Sequence, residues 1–254
     1  MFILKSIILS LPLYFKFNLM GQNREQILKI FKEKASMKQQ VYSNTHETFV
    51  LLKEVLNEMT NEYNANLDID NQKIWLKYKD RGHFEASLKF GGDLLLFSMH
   101  TNVFEFDREH SIWKTAYAKK NKMGTYCGII NIYNFLADSI KYNRDADLGY
   151  LVGRIFINKD MHYFVEGKRQ MASIYKDFGT SIIDKNALKM VIESSLQYSL
   201  EFDLLVPPYD NVKIISVEMV QEKNNSALQQ TGKRLGFKFN SDDVMGNEAL
   251  YSGG

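Results

Sequence analysis

Between Lys73 and Asp107 apolar and polar residues alternate in short runs separated by turn residues, and no other stretch of the chain constrains the fold as tightly. In Lys73–Lys79 a period of two puts Ile74, Leu76 and Tyr78 on one face and three lysines with Trp75 on the other. Asp80-Arg81-Gly82 supplies a turn, and His83–Phe90 alternates again, with Phe84, Ala86, Leu88 and Phe90 on the apolar side. Gly91-Gly92 interrupts the pattern before Asp93–Met99, which is apolar on both faces and is expected to be the most covered strand. After His100-Thr101-Asn102, Val103–Asp107 completes four antiparallel strands joined by tight turns.

Further strands are expected at Tyr126–Phe135, bounded by glycine, and in a second hairpin within Asp147–Glu166. With a turn at Lys159-Asp160, Phe156 faces Tyr163 and Ile155 faces Phe164. Val212–Val220 alternates as a last strand. Residues 108–123, basic with Trp113 and Tyr117 inserted, fit either a helix or a long crossing loop, and Leu136–Tyr142 fits a helical turn.

From Asn23 to Asn64 glycine and proline are absent. Asn23 with Gln26 and Asn44 with Glu47 form capping boxes, which predict two helices with a break near Ser43. A single unbroken helix is the alternative, and Phe49, Leu52, Leu56, Met59 and Tyr63 then form a homodimer seam rather than a cover for the sheet. Ser181 with Asp184 opens another helix through Leu188, Val191, Ile192, Leu196 and Leu200, stopped by Pro207-Pro208. The expected fold is therefore α+β: a mainly antiparallel sheet of about seven strands packed against N-terminal and C-terminal helices.

The expected domain spans residues 20–220. Residues 1–19 read as a dispensable N-terminal extension, because the apolar run after Lys5 is broken by Ser10 and Pro12 and Met20 opens a helical segment. Residues 221–254, where apolar density falls, read as a flexible tail, and the basic and aromatic 231–239 within it as solvated chain. With 32 basic and 30 acidic residues, the balance lacks the clustered excess that nucleic acid or an anionic membrane would require. The single cysteine, Cys127, excludes an intrachain disulfide and points to a reducing, cytoplasmic compartment.

The chemistry-bearing residues gather in two places. Arg154, His162, Glu166 and Lys168 lie together on the second hairpin, and Asp145 and Asp147 precede it. Asp147 with Glu166-Gly167-Lys168 resembles the E-x-K signature of restriction-endonuclease-like nucleases. That resemblance implies a metal-dependent phosphodiesterase in which the two carboxylates hold Mg²⁺ or Mn²⁺ and the lysine orients the attacking water. His100, Glu105, Asp107 and His110 form the other cluster, without an H-x-x-x-H or H-E-x-x-H spacing. Gly-x-Ser-x-Gly, a Walker loop and G-x-G-x-x-G are all absent.

The leading expectation is a non-catalytic domain without a cofactor that binds a small molecule or a protein partner, with homodimerisation through residues 23–64. Its ligand would sit in an apolar pocket between sheet and helices, oriented by Arg154, His162, Glu166 and Lys168. Cys127, in a β segment without a partner histidine, is expected to be a small buried hydrophobe.

Overall fold

The computed structural model describes residues 23–67, 74–144, 147–167, 178–202 and 209–218. The expected extension 1–19, the tail 221–254, Pro207-Pro208, Asp145 and Lys168 lie outside these residues. The chain folds as α+β, around one antiparallel sheet of seven strands. They are β1 (Lys77–Asp80), β2 (Glu85–Phe90), β3 (Asp93–Met99), β4 (Phe104–Glu105), β5 (Tyr126–Leu136), β6 (Tyr150–Asn158) and β7 (Tyr163–Gly167). Their order is β1-β2-β3-β5-β6-β7, with β4 also on β5.

The first hairpin follows the alternation, since Ala86, Leu88 and Phe90 are buried on β2, although β1 begins at Lys77 and leaves Ile74 exposed. On β3 Leu95, Phe97 and Met99 are buried on one face, whereas Leu96 and Ser98 on the other are only half covered. Val103–Asp107 does not continue the meander. Only Phe104 and Glu105 pair, and they pair with Cys127 and Tyr126, past the point where Met99 meets Ile130. β4 thus prolongs the line of β3 along β5, because His100 N–H bonds Ile129 O and the chain then bends away.

The second hairpin forms one residue out of the expected register. Phe156 faces Phe164, Ile155 faces Val165 and Arg154 faces Glu166. Met161, at φ 59°, adds a residue to the turn, and Asn158 Oδ1 fixes it by accepting the N–H groups of Asp160 and His162 at 2.9 and 3.0 Å. This shift places two aromatics and an ion pair on one face.

Residues 23–66 form a single helix, α1, with a π-helical turn at Phe31–Ala35 leading into Ser36–Asn66, so the expected break near Ser43 does not occur. Asn44 caps nothing. It is buried in mid-helix, where its amide donates to Asn158 O and Lys159 O at 3.0 and 2.9 Å. Thr45 and Thr48 are buried beside it because their hydroxyls donate to Val41 O and Asn44 O within the helix. Phe49, Leu52, Val55, Leu56 and Met59 complete the stripe and pack on the sheet, which leaves them unavailable as a dimer seam. Each such side chain contributes about 1.5–3 kcal/mol by burial.

After β4 come two 3₁₀ turns, Ser111–Lys114 and Lys122–Thr125, on either side of α2 (Ala116–Lys120), so the ambiguous 108–123 segment is neither one helix nor plain loop. α3 (Ala137–Lys141) follows β5. α4 (Lys185–Leu200) starts three residues later than expected, with Asp184 rather than Ser181 accepting the Ala187 N–H. Its Leu188, Val191, Ile192 and Leu196 join the core beside α1, and exposed Lys185 and Lys189 reach Glu58 and Glu62 across the helix pair. Residues 209–218 carry a short α5 (Tyr209–Val212), a helical start at 217–218 and no strand, in contrast to the alternation of Val212–Val220, whose last two residues lie outside the described ones. Among the described residues no helix is long and apolar enough to cross a membrane.

Candidate functional site

α1 and α4 cover one face of the sheet. The opposite face carries Cys127 and Ile129 of β5, Arg154 and Phe156 of β6, and Phe164 and Glu166 of β7, as the strand pairing requires. Part of it is covered by the 104–125 segment, whose Phe106, Ile112, Trp113 and Tyr117 pack with Phe178 against Cys127 and Phe156. This second core ends at a half-open cleft of about 200 Å³.

The two clusters seen in the sequence meet there. Glu105, Asp107 and His110 come from the outer segment and Arg154 and Glu166 from the hairpin, while Phe104, Phe106, Ile129, Phe156 and Cys127 supply the apolar wall. Arg154 Nε donates to Glu166 Oε2 at 2.8 Å and Arg154 Nη2 bonds the same oxygen, with the guanidinium carbon 5.3 Å from the Phe156 ring centre. Glu105 accepts from Arg108 at 3.0 Å, and Arg108 lies 4.3 Å from the Trp113 ring centre. Asp107 Oδ1 accepts the Glu109 N–H at 2.9 Å. His110 Nδ1 accepts from Ile112 N–H at 3.2 Å, and its ring stacks on Phe106 with centres 4.7 Å apart. Burial pushes the Cys127 thiol far above its ordinary range, which removes thiolate chemistry from the cleft wall.

Other sequence candidates go elsewhere. His100 accepts the Asn102 N–H and packs edge-on to Phe104. His162 sits past the β6–β7 turn, bridged to Ile182, with its ring edge-on to Tyr117 and Nδ1 buried without a hydrogen-bond partner. Tyr117 centres a polar knot there. Its hydroxyl bonds Asp160 Oδ2 and accepts from Asn158 Nδ2 at 3.0 Å, and Asn158 Nδ2 also donates to Gly124 O at 3.1 Å. Burial opposes ionisation of Asp160, but hydrogen bonds from Tyr117 and Lys159 outweigh it and hold the carboxyl below its usual range. Burial, with Asp160 adding to it, pushes the Tyr117 phenol well above its own.

Asp147 and Glu166 are not neighbours in the sheet. Asp147 precedes Tyr150 at the start of β6, whereas Glu166 pairs with Arg154, roughly 13 Å further along at ~3.3 Å per residue. Asp147 is buried, accepting from Ser139 Oγ at 2.5 Å with Arg144 Nη1 at 3.8 Å. Among the described residues no three His, Cys, Asp or Glu side chains converge as a metal site. The cleft wall of Cys127, Ile129 and Phe156 was missed in the sequence, although their place opposite Ile130, Ile132 and Ile155 in the alternation marks them as second-face residues. Comparison with protein-family models, with curated proteins and with solved structures finds no match.

Proposed function

We propose that this chain is a non-catalytic binding domain and that the cleft between β5–β7 and the 104–110 segment is its ligand site. What supports this is one arrangement: four separate stretches bring an aromatic and aliphatic wall together with Arg154, Glu166, Asp107 and His110 at one opening. A volume of about 200 Å³ lies below the ~300–1,000 Å³ of drug-sized sites, so the ligand is a fragment-sized group. Nothing in the wall is arranged as a nucleophile beside a base, and a single free cysteine, Cys127, suits a reducing cytoplasmic setting.

The test is a fragment screen observed on the protein's own amide resonances. Hits are expected to shift residues 104–110, 127–129 and 154–156, and Ile129→Trp, which fills the cleft, is expected to remove them. Hits that cluster elsewhere, or that survive the filling substitution, would overturn the assignment.

A second reading concerns self-association. Residues 23–35 of α1 leave Ile27, Leu28, Ile30 and Phe31 exposed, beyond the part of the helix that packs on the sheet. A homodimer through residues 23–64 would then use this arm. Ile27→Asp with Phe31→Asp is expected to convert a sedimenting dimer to monomer, and a wild-type monomer at high concentration would reject the reading.

A further inference from the structure

We propose that the cleft takes an organic cation, a guanidinium or substituted ammonium on a small apolar body; this rests on the cleft being a binding site and adds the sign of its ligand. Three carboxylates line the opening, Glu105, Asp107 and Glu166, against the single guanidinium of Arg154. Its wall is built from the rings of Phe104, Phe106 and Phe156, and an aromatic face attracts positive charge. Phe104, 39% exposed, keeps accessible ring surface.

The chain's own cations already use this chemistry on both sides of the cleft. Arg154 lies over Phe156 while bonded to Glu166, and Arg108 lies over Trp113 while bonded to Glu105. Asp107 is the lining carboxylate that forms no ion pair among the described residues. An incoming cation therefore meets the accessible Phe104 ring and a carboxylate without an ion pair. An anion would instead have to displace Glu166 from Arg154 beside the unpaired Asp107 carboxylate, which is the less favourable exchange.

Three probes of matched shape decide the sign: benzamidinium, benzyl alcohol and benzoate, titrated into the full chain and followed on the cleft amides. Benzamidinium is expected to bind tightest and benzoate weakest. Arg154→Gln removes the resident competitor, so it is expected to tighten benzamidinium by roughly threefold, the factor given by one unit charge about 6 Å away in water. Asp107→Asn keeps the acceptor for the Glu109 N–H and is expected to weaken benzamidinium by a similar factor. Benzoate binding tightest, benzyl alcohol equalling benzamidinium, or Arg154→Gln weakening benzamidinium would each overturn the proposal and leave the cleft a binding site. No probe moving the cleft amides would overturn both. Should Arg154→Gln unfold, the ranking of probes and Asp107→Asn carry the same decision.

Discussion

Tyr117 and Asp160, 43 residues apart in the chain, meet in a hydrogen bond from phenol to carboxylate that ties the outer 104–125 segment to the β6–β7 turn. The same hydroxyl accepts from Asn158, whose side chain also holds the turn, so one knot secures both the second core and the hairpin register. The Tyr117 ring lies so close to the backbone of Gly124 and Gly179 that a Cβ at either would come within 2.5 Å of it.

Tyr117→Phe and Asp160→Asn are each expected to destabilise the protein, and the double variant by less than their sum. The coupling should be about 1–2 kcal/mol, since the bond is to a charged acceptor but only partly buried. Urea unfolding of all four proteins measures it, and strict additivity would show that the two groups do not share their stabilisation.

The same pair sets a pH dependence. Asp160 is held below its ordinary range in the folded chain, so its contribution is present above the unfolded carboxyl's pKa near 4 and is lost as pH falls through the lowered folded value. Tyr117 is raised, so its proton is held more tightly folded than unfolded; stability is unaffected below about pH 10 and declines as pH rises beyond it. Unfolding free energies of wild type and Asp160→Asn should converge in acid, and the alkaline decline should be shallower in Tyr117→Phe.

Asn44→Ala is expected to cost about 1–3 kcal/mol, because it removes the Lys159 carbonyl's donor beneath α1 and leaves Asn158 O with the Met161 N–H alone. The denaturant midpoint should fall with an unchanged slope. A loss under 0.5 kcal/mol, on the order of a surface substitution, would mean that water replaces the amide.

Gly128 lies under α1, where a Cβ would fall 2.0 Å from Thr45 Oγ1 and 2.8 Å from Thr45 Cβ. Gly128→Ala should therefore destabilise by about 2–3 kcal/mol through forced separation of helix and sheet. Adding Thr45→Ala removes the nearest atom but not the Cβ, so recovery should be partial. Full recovery or none would place the strain elsewhere.

Asp147→Ala is expected to lower stability by about 1–3 kcal/mol, since the buried Ser139 hydroxyl loses its acceptor and a buried carboxylate facing Arg144 is removed. Millimolar Mg²⁺ or Mn²⁺ should leave the thermal midpoint of the wild type unchanged. A metal-dependent rise abolished by both Asp147→Ala and Glu166→Ala would instead support a two-carboxylate metal site.

Strand identity was legible on β2, where burial of one face forces a period of two, and on β5 and β6, where β-branched and aromatic runs end at glycine or turn residues. The hairpin register was not, since it depends on a three-residue turn closed by a side chain, Asn158, and on a positive φ at Met161 that composition does not mark. Asn44 looked like a cap for the same reason: a polar residue on an apolar stripe reads as a boundary unless its distant partners are known.

By itself the sequence determined the α+β class, the alternating strands and the apolar helical stripe that covers them, all of which follow from local periodicity. Tertiary structure alone decided that Arg154 opposes Glu166 and that Glu105, Asp107 and His110 stand beside that pair. Their meeting depends on β4 leaving the meander to run along β5, a pairing between distant segments whose energy comes from contacts no local pattern encodes.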